Sequence, residues 1–333
     1  MKILLDVMGG DHAPKATVEG AVMAAKEYKH EMVLIGDEQR IKKVLKDIGA
    51  EKEPNISVVH AASEISMEDS ADCIMYDKND SSMAVAMKML AAGEGDAVVS
   101  AGNTGAFLAG GLFIVKRIKG VKRAALSPIL PTAKGGAVLI DCGANAECTP
   151  DFLYQFAYMG SVYAEKYLGM KSPRVALINN GAEETKGTPT YVETHKMLKD
   201  AGARGEINFV GNAEGRDVPL GMCDVVVADG FTGNVLLKTT EGVAMFFAAQ
   251  LKGIFMKNLK SKLAALMVKS SIDEFKKSMD YTEVGGAPLL GVNGVCIKAH
   301  GSSNPKSFKS AIGQAIRYKN SGVIEAIAEK FGK

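Results

Sequence analysis

Residues Asp224 to Gly242 read DVVVADGFTGNVLLKTTEG. The run Asp224–Asp229 is short, apolar and β-branched, as suits a strand buried on both faces of a sheet. Gly230 and Gly233 then bracket Phe231 and Thr232, and Asn234 opens a helical pattern that continues through Leu236, Leu237 and Val243. The stretch predicts strand, glycine loop, helix. Such a loop presents backbone N–H groups at a helix N-terminus, where the macrodipole favours an anion. Glycines let the backbone approach a phosphate closely. Asn234 adds a side-chain donor, and Lys238 follows one turn later. The competing reading is an ordinary βα turn.

Working outward, the same alternation recurs. Strands are expected at Lys2–Val7, Met32–Ile35, Ile56–His60, Asp96–Ser100, Ala137–Asp141, Arg174–Asn179, Ile207–Val210 and Val295–Ala299. Helices are expected at Lys15–Tyr28, Glu38–Ile48, Ser81–Ala92, Pro150–Leu168, Thr190–Ala201 and Pro305 to about Lys330. Alternating strands and helices imply a doubly wound α/β fold with a mostly parallel sheet, read as one continuous domain over 1–333. Ligands bind beyond the carboxyl ends of such strands. Polar and glycine clusters fall there five times: Asp6–Asp11, Ser100–Gly105, Asp141–Asn145, Asn179–Lys186 and Asp229–Asn234. Together they predict one composite site.

Composition narrows the function. The chain has 333 residues and a net charge of +2, so no global field drives nucleic-acid binding. Its five cysteines form an odd set without a CxxC pair, which argues against a disulfide framework or a zinc site and for a reducing compartment. The N-terminal apolar run is too short for a signal peptide, and no window reaches the ~18 apolar residues of a membrane span. No GxxxxGK[ST], HExxH, GxSxG or strand-following GxGxxG is present.

The loops offer anion donors: the amides of Gly102, Asn103, Thr104 and Gly105, the side chains of Asn103, Asn234 and Ser302, and Lys186. His300, at a strand end, is the candidate acid/base, with a hydrogen-bonded structural role as the alternative. Cys142 is a weak candidate nucleophile. The scattered carboxylates Asp6, Asp11, Asp141 and Asp229 do not make a convincing metal site.

From Val243 to Asp280 the pattern becomes a long amphipathic pair of helices with a lysine-rich side. Such a stretch lies on anionic lipid or docks a partner helix; a core or dimer stripe is the plainer alternative. Leu263, Leu266, Met267 and Val268 mark the expected turn and the expected membrane contact.

Taken together, DVMGGDHAP, SAGNTGA, DCGANAE, NNGAEETKG, NFVGNAEGRD, DGFTGNVLLKTTEG, GGAPLLG and KAHGSS, in this order, closely resemble the PlsX family of phosphate acyltransferases of bacterial phospholipid synthesis. The likeness runs from Lys2 to about Ser303. It implies a three-layer α/β/α fold similar to the isocitrate/isopropylmalate dehydrogenase group. It implies transfer of a fatty acyl group from acyl-[acyl-carrier-protein] to inorganic phosphate, giving acyl phosphate, with no nucleotide, coenzyme A or other cofactor. It implies a cytoplasmic homodimer, peripheral contact with the inner face of the membrane, and delivery to a membrane glycerol-3-phosphate acyltransferase. The chain departs from the family's basic run at Met75–Met83, where only Lys78 remains, and has Arg123-Ala124 where Arg-Pro is common.

The expected mechanism is direct attack of phosphate on the thioester. Lys186, Asn234 and His300 are the expected catalytic residues. Gly102, Asn103, Thr104, Gly105, Asp229, Gly233 and Ser302 are the expected phosphate-binding set. Alternatives are an acyl-CoA-using phosphotransacetylase, an NAD-dependent decarboxylating dehydrogenase on the same fold, and a non-catalytic membrane-bound adaptor.

Overall fold

The computed structural model describes residues 1–270 and 285–332. The strands form two sheets. The first contains β1 (Lys2–Asp6), β2 (Glu31–Gly36), β3 (Ile56–His60), β4 (Ala97–Ser100), β5 (Ala125–Leu126), β11 (Ala287–Leu290) and β12 (Val295–Lys298), in the order β3-β2-β1-β4-β12-β11-β5. The second contains β6 (Ile129–Thr132), β7 (Gly135–Ile140), β8 (Arg174–Ile178), β9 (Asn208–Ala213) and β10 (Val225–Val227), in the order β6-β7-β10-β8-β9. β3 through β12 are parallel, as are β7 through β9; β11, β5 and β6 run antiparallel to their neighbours. The α/β class with mostly parallel pairing holds; the single sheet expected from the sequence is instead two.

Helices connect the strands: α1 (Lys15–Tyr28), α2 (Glu38–Asp47), α3 (Ser82–Ala91), α4 (Thr104–Gly110), α5 (Pro150–Lys166), α6 (Pro189–Ala203), α7 (Gly230–Met256), α8 (Leu259–Met267), α9 (Pro305–Asn320) and α10 (Val323–Phe331). Their starts follow local capping chemistry. Asp37, Ser81 and Asn304 each accept a backbone N–H of the first turn they open, which satisfies a donor that the helix cannot. The single final helix expected from Pro305 to Lys330 breaks at Gly322, whose φ of 75° suits glycine.

One apolar cluster runs from the first sheet (Leu5, Val99, Ile297) through Phe156 and Tyr163 of α5 and Phe308 of α9 to Val138 and Val225 of the second. The sheets therefore share a core. The chain itself also crosses between them where β5 leaves one sheet and β6 enters the other, and hydrogen bonds flank the crossing: Cys142 donates its N–H to Leu126 O, and Ser127 donates its own to Pro288 O. Strands this short, at two and four residues, carry too little periodicity to be read in advance.

The long helical pair departs from expectation in its breaks. α7 begins at Gly230 and runs 27 residues, with only Gly230 and Gly233 buried. The interruption lies at Lys257–Asn258, because the Asn258 side chain accepts the Ser261 N–H and starts α8. Leu263, Leu266 and Met267 are helical and exposed rather than a turn, and exposed Val268 caps the helix. The end of the expected pair, 271–280, lies outside the described residues.

Candidate active site

Three sequence motifs meet because three strands are adjacent. β1, β4 and β12 are parallel neighbours whose registers align Asp6, Ser100 and Lys298 in one row at their carboxyl ends. The loops beyond them touch. Gly301 O accepts the Asp11 N–H at 2.9 Å, and a Cβ at Gly9 would sit 2.6 Å from Gly102 N, so only glycine permits that backbone approach. In the second sheet β7 and β10 are neighbours, which places Asp141–Asn145 against the start of α7.

Between the two sets lies a cavity of about 590 Å³, within the ordinary range for a small-molecule site. The first sheet contributes Asp11, Thr104, Gly105, Lys298, His300 and Ser302. The second contributes Cys142, Gly143 and, from α7, Asn234, Lys238 and Glu241. Leu126, Pro128 and Ile129, from the segment that passes from sheet to sheet, line it too, as do the apolar Leu108 and Leu237. One cavity thus combines polar and apolar lining.

His300 Nδ1 lies 2.8 Å from Ser302 Oγ and 3.3 Å from the Ser302 backbone N, which can only donate. The ring is thereby set as acceptor at Nδ1, with its proton on Nε2. Although the residue is exposed in area, partial burial of the ring lowers its pKa below the ordinary imidazole value, and the Lys238 ammonium adds to the effect. Lys238 pairs with Glu241 at 2.8 Å. Cys142 is buried, and burial, with the nearby Asp141 charge, pushes its thiol up to about 12, so it is no thiolate nucleophile.

Several expected phosphate ligands have other tasks. Asn103 accepts the Ala106 N–H and starts α4, while its Nδ2 donates to the carbonyls of Ser66, Met67 and Asp69. It pins the 66–69 segment, which Lys78 also holds through Glu64 O and Asp69. The Gly102 N–H donates to Ser100 Oγ at 3.0 Å. Asp229 starts α7: its carboxylate accepts the Thr232 N–H at 2.7 Å and the Tyr191 hydroxyl at 2.6 Å.

The glycine loop of DGFTGN is therefore the first turn of a helix, and its amides are largely spent: Gly230 donates to Asn145 O and Gly233 to Asp229 O. Both glycines are needed for packing. A Cβ on Gly230 would lie 2.7 Å from Asn145 O, and one on Gly233 would lie 2.0 Å from Asp141 O. Asp141 itself is fully buried and accepts N–H groups from Leu126, Cys142 and Asn145, tying the seam between the sheets to the start of α7.

Lys186 stands apart. It lies in the loop after β8, one strand beyond β10, with residues 182–189 exposed, and it does not line the cavity. Thr104, Gly105, Asn234, His300 and Ser302 are the sequence-expected residues that the fold brings together there. Lys298 and Glu241 were missed. For Lys298 the signal was present: a lysine inside the buried strand VCIK, two residues before His300. Among the described residues no group of three or more His, Cys, Asp or Glu is placed to hold a metal ion.

Residues 1–326 match the family model described as fatty acid synthesis protein. The chain belongs to this family. Its recognition by motif as PlsX-like agrees with the family's curated relatives. A protein named phosphate acyltransferase from Alkaliphilus oremlandii is 50% identical over 329 residues, covering 99% of this chain and 97% of the relative. Another of that name, from Clostridioides difficile, is 45% identical over 334 residues, covering 100% and 97%. Among solved structures, a phosphotransacetylase from Streptococcus pyogenes superposes with a TM-score of 0.67 at 14% identity, covering 96% of this chain and 94% of that one. That likeness shows a shared fold.

Proposed function

We propose that this chain is a phosphate acyltransferase that moves a fatty acyl group from acyl-[acyl-carrier-protein] to inorganic phosphate. The observation that carries the reading is the cavity between the sheets, whose lining divides into groups able to bind an anion and apolar side chains. This division suits a small anion attacking a thioester whose acyl chain needs an apolar slot. The full-length likeness to proteins of that name supports it.

Phosphate is already a nucleophile near neutral pH, so the site has to hold, desolvate and aim it. A phosphate oxygen attacks the thioester carbonyl carbon. The new C–O bond forms, the C–S bond breaks, and acyl phosphate and the carrier's thiol leave. Asn234 Nδ2 is proposed as the donor to the developing oxyanion, with Ser302 Oγ and the Thr104 and Gly105 amides on the phosphate. His300 Nε2–H is proposed to hydrogen-bond the departing sulfur, which takes its proton from the attacking hydrogen phosphate. For Lys186 to act on the same phosphate, its exposed loop has to move onto the cavity. A rate loss in Lys186→Ala equal to that in Asn234→Ala would require the movement; near-normal turnover would leave Lys186 outside the chemistry.

The exposed face of α7 and α8 includes Met245, Phe246, Phe247, Ile254, Leu259, Leu266 and Met267. Contiguous exposed apolar surface of this kind marks an interface. It is proposed to serve the homodimer and peripheral membrane contact, the membrane part centred on Leu263, Leu266, Met267 and Val268. From there acyl phosphate would pass to a membrane acyltransferase. No helix among the described residues is long and apolar enough to cross a membrane.

The deciding experiment is free-thiol release from palmitoyl-[acyl-carrier-protein], with and without phosphate, alongside palmitoyl-CoA. Phosphate-dependent release from the carrier substrate, with an acid-labile product, supports the reading. Release from the CoA thioester alone would move the protein to the phosphotransacetylases, and no release would leave a binding role.

A further inference from the structure

We propose that Lys298 holds the phosphate, its ammonium group supplying the countercharge for the anion in the cavity. The inference rests on the acyltransferase reading above. Lys298 ends β12, a strand with neighbours on both sides, and is only 8% exposed. A buried ammonium is costly unless something compensates its charge. The carboxylate aligned with it across the sheet, Asp6, does not do so directly. Asp6 is occupied by the hydroxyls of Ser82 and Ser100, both at 2.6 Å, and by the Met8 N–H.

Of the three donors on the ammonium, one bonds Ala299 O at 2.7 Å, and no carboxylate among the described residues forms an ion pair with it. The side chain lines the same cavity as His300, Ser302 and Asn234. A buried cation with no ion-pair partner in the wall of a cavity is the complement of a small anion. The charged groups around it are Asp6 from β1, Asp11 from the following loop, Lys238 and Glu241 from α7, and His300. Burial brings its pKa down to about 8 against the pull of Asp6 and Asp11. The ammonium is therefore charged below that pH, and phosphate affinity falls as pH rises through it.

The test compares wild type with Lys298→Met, measuring inorganic phosphate binding by calorimetry, thiol release from palmitoyl-[acyl-carrier-protein], and melting with and without phosphate. Losing charged hydrogen bonds predicts phosphate affinity and phosphate KM weakened by about 10- to 100-fold, with the KM for the acyl carrier substrate little changed. In phosphate-free buffer Lys298→Met should melt no lower than wild type, because an apolar isostere replaces a buried charge with no ion-pair partner. Its phosphate-induced rise in melting temperature should be lost. Unchanged phosphate affinity, or a lower melting temperature with the phosphate-induced rise intact, would overturn the inference and make Lys298 structural. Absence of thiol release from wild type would instead sink the acyltransferase reading, while the binding measurements still judge Lys298. Should Lys298→Met not fold, wild type decides alone: saturating phosphate must protect Lys298 from reductive methylation, read by peptide mass spectrometry, and equal labelling with and without phosphate refutes the site.

Discussion

A methyl group at Gly233 is the sharpest single perturbation available. Its carbon would lie 2.0 Å from the Asp141 carbonyl oxygen and 3.1 Å from the carbonyl carbon, where contacts under 3.0 Å essentially never occur. The obstacle is backbone at the foot of β7, so α7 has to retreat by about 1 Å, taking Asn234 with it. Two stability effects compete. Alanine is a better helix former than glycine by ~1 kcal/mol, and overpacking a site that cannot yield costs ~1–3 kcal/mol. We expect Gly233→Ala to lose about 1–2 kcal/mol in urea unfolding, read from the midpoint at unchanged slope. Turnover should fall by about 10²-fold, the usual consequence of a 1 Å misplacement of a reacting group. Gly242→Ala is the control. It sits in the same helix, exposed, with nothing within 4 Å of the added carbon, so it should gain ~0.5–1 kcal/mol and leave turnover unchanged. If Gly233→Ala behaves like Gly242→Ala in both assays, the close approach to Asp141 does not position the site.

Asn234→Ala should lower kcat for thiol release by ~10²–10³-fold if its amide meets the oxyanion, with melting temperature little changed; a preserved kcat would remove it from that role. His300 has a depressed pKa in the fold, so its contribution to stability is present above the ordinary imidazole value near 6.5 and is lost as pH falls through the folded value; His300→Asn should flatten that part of the melting-temperature profile. Asp69 is drawn down to about 2, first by its hydrogen bond to Lys78, so this pairing should persist in mild acid, failing only as pH drops through that value. Lys78→Ala would then free the segment bearing Met67 and raise the KM for the acyl substrate more than that for phosphate. Leu266→Glu with Met267→Glu removes two exposed apolar side chains, Met267 being 85% exposed. At ~1.5–3 kcal/mol for burying each, liposome co-sedimentation should drop by well over tenfold while thiol release in solution continues; undiminished sedimentation would place the membrane contact elsewhere.

The alternation of strand and helix was legible because parallel strands buried on both faces are continuous apolar runs, and their neighbours carry ordinary caps. The ends of β1, β4, β7 and β12 announced the polar loops that meet at the site. What periodicity does not encode is which strands pair. Ala125–Leu126 and Ile129–Thr132 are too short to register as strands, yet they divide the sheet in two and help to line the cavity. Residue type also does not show where a side chain serves the backbone: Asn103 and Asp229 read as ligands, and in the fold each starts a helix. Gly230 and Gly233 look like a phosphate cradle, yet they make room for the Asp141 loop. Lys298 was passed over because a strand interior is read as core, although a lysine is out of place there.

α7 has a mechanical consequence. Its 27 residues form a rod about 40 Å long. One end carries Asn234, Lys238 and Glu241, and the other carries the bare apolar face. No joint interrupts it, and at its base Gly233 abuts Asp141 without slack. Whatever settles on the far end therefore acts on a lever whose short arm lines the cavity. A tilt of a few degrees imposed there would reach the amide of Asn234 as a displacement, whereas with nothing on the far end α7 keeps the seating that Gly233 and Asp141 set.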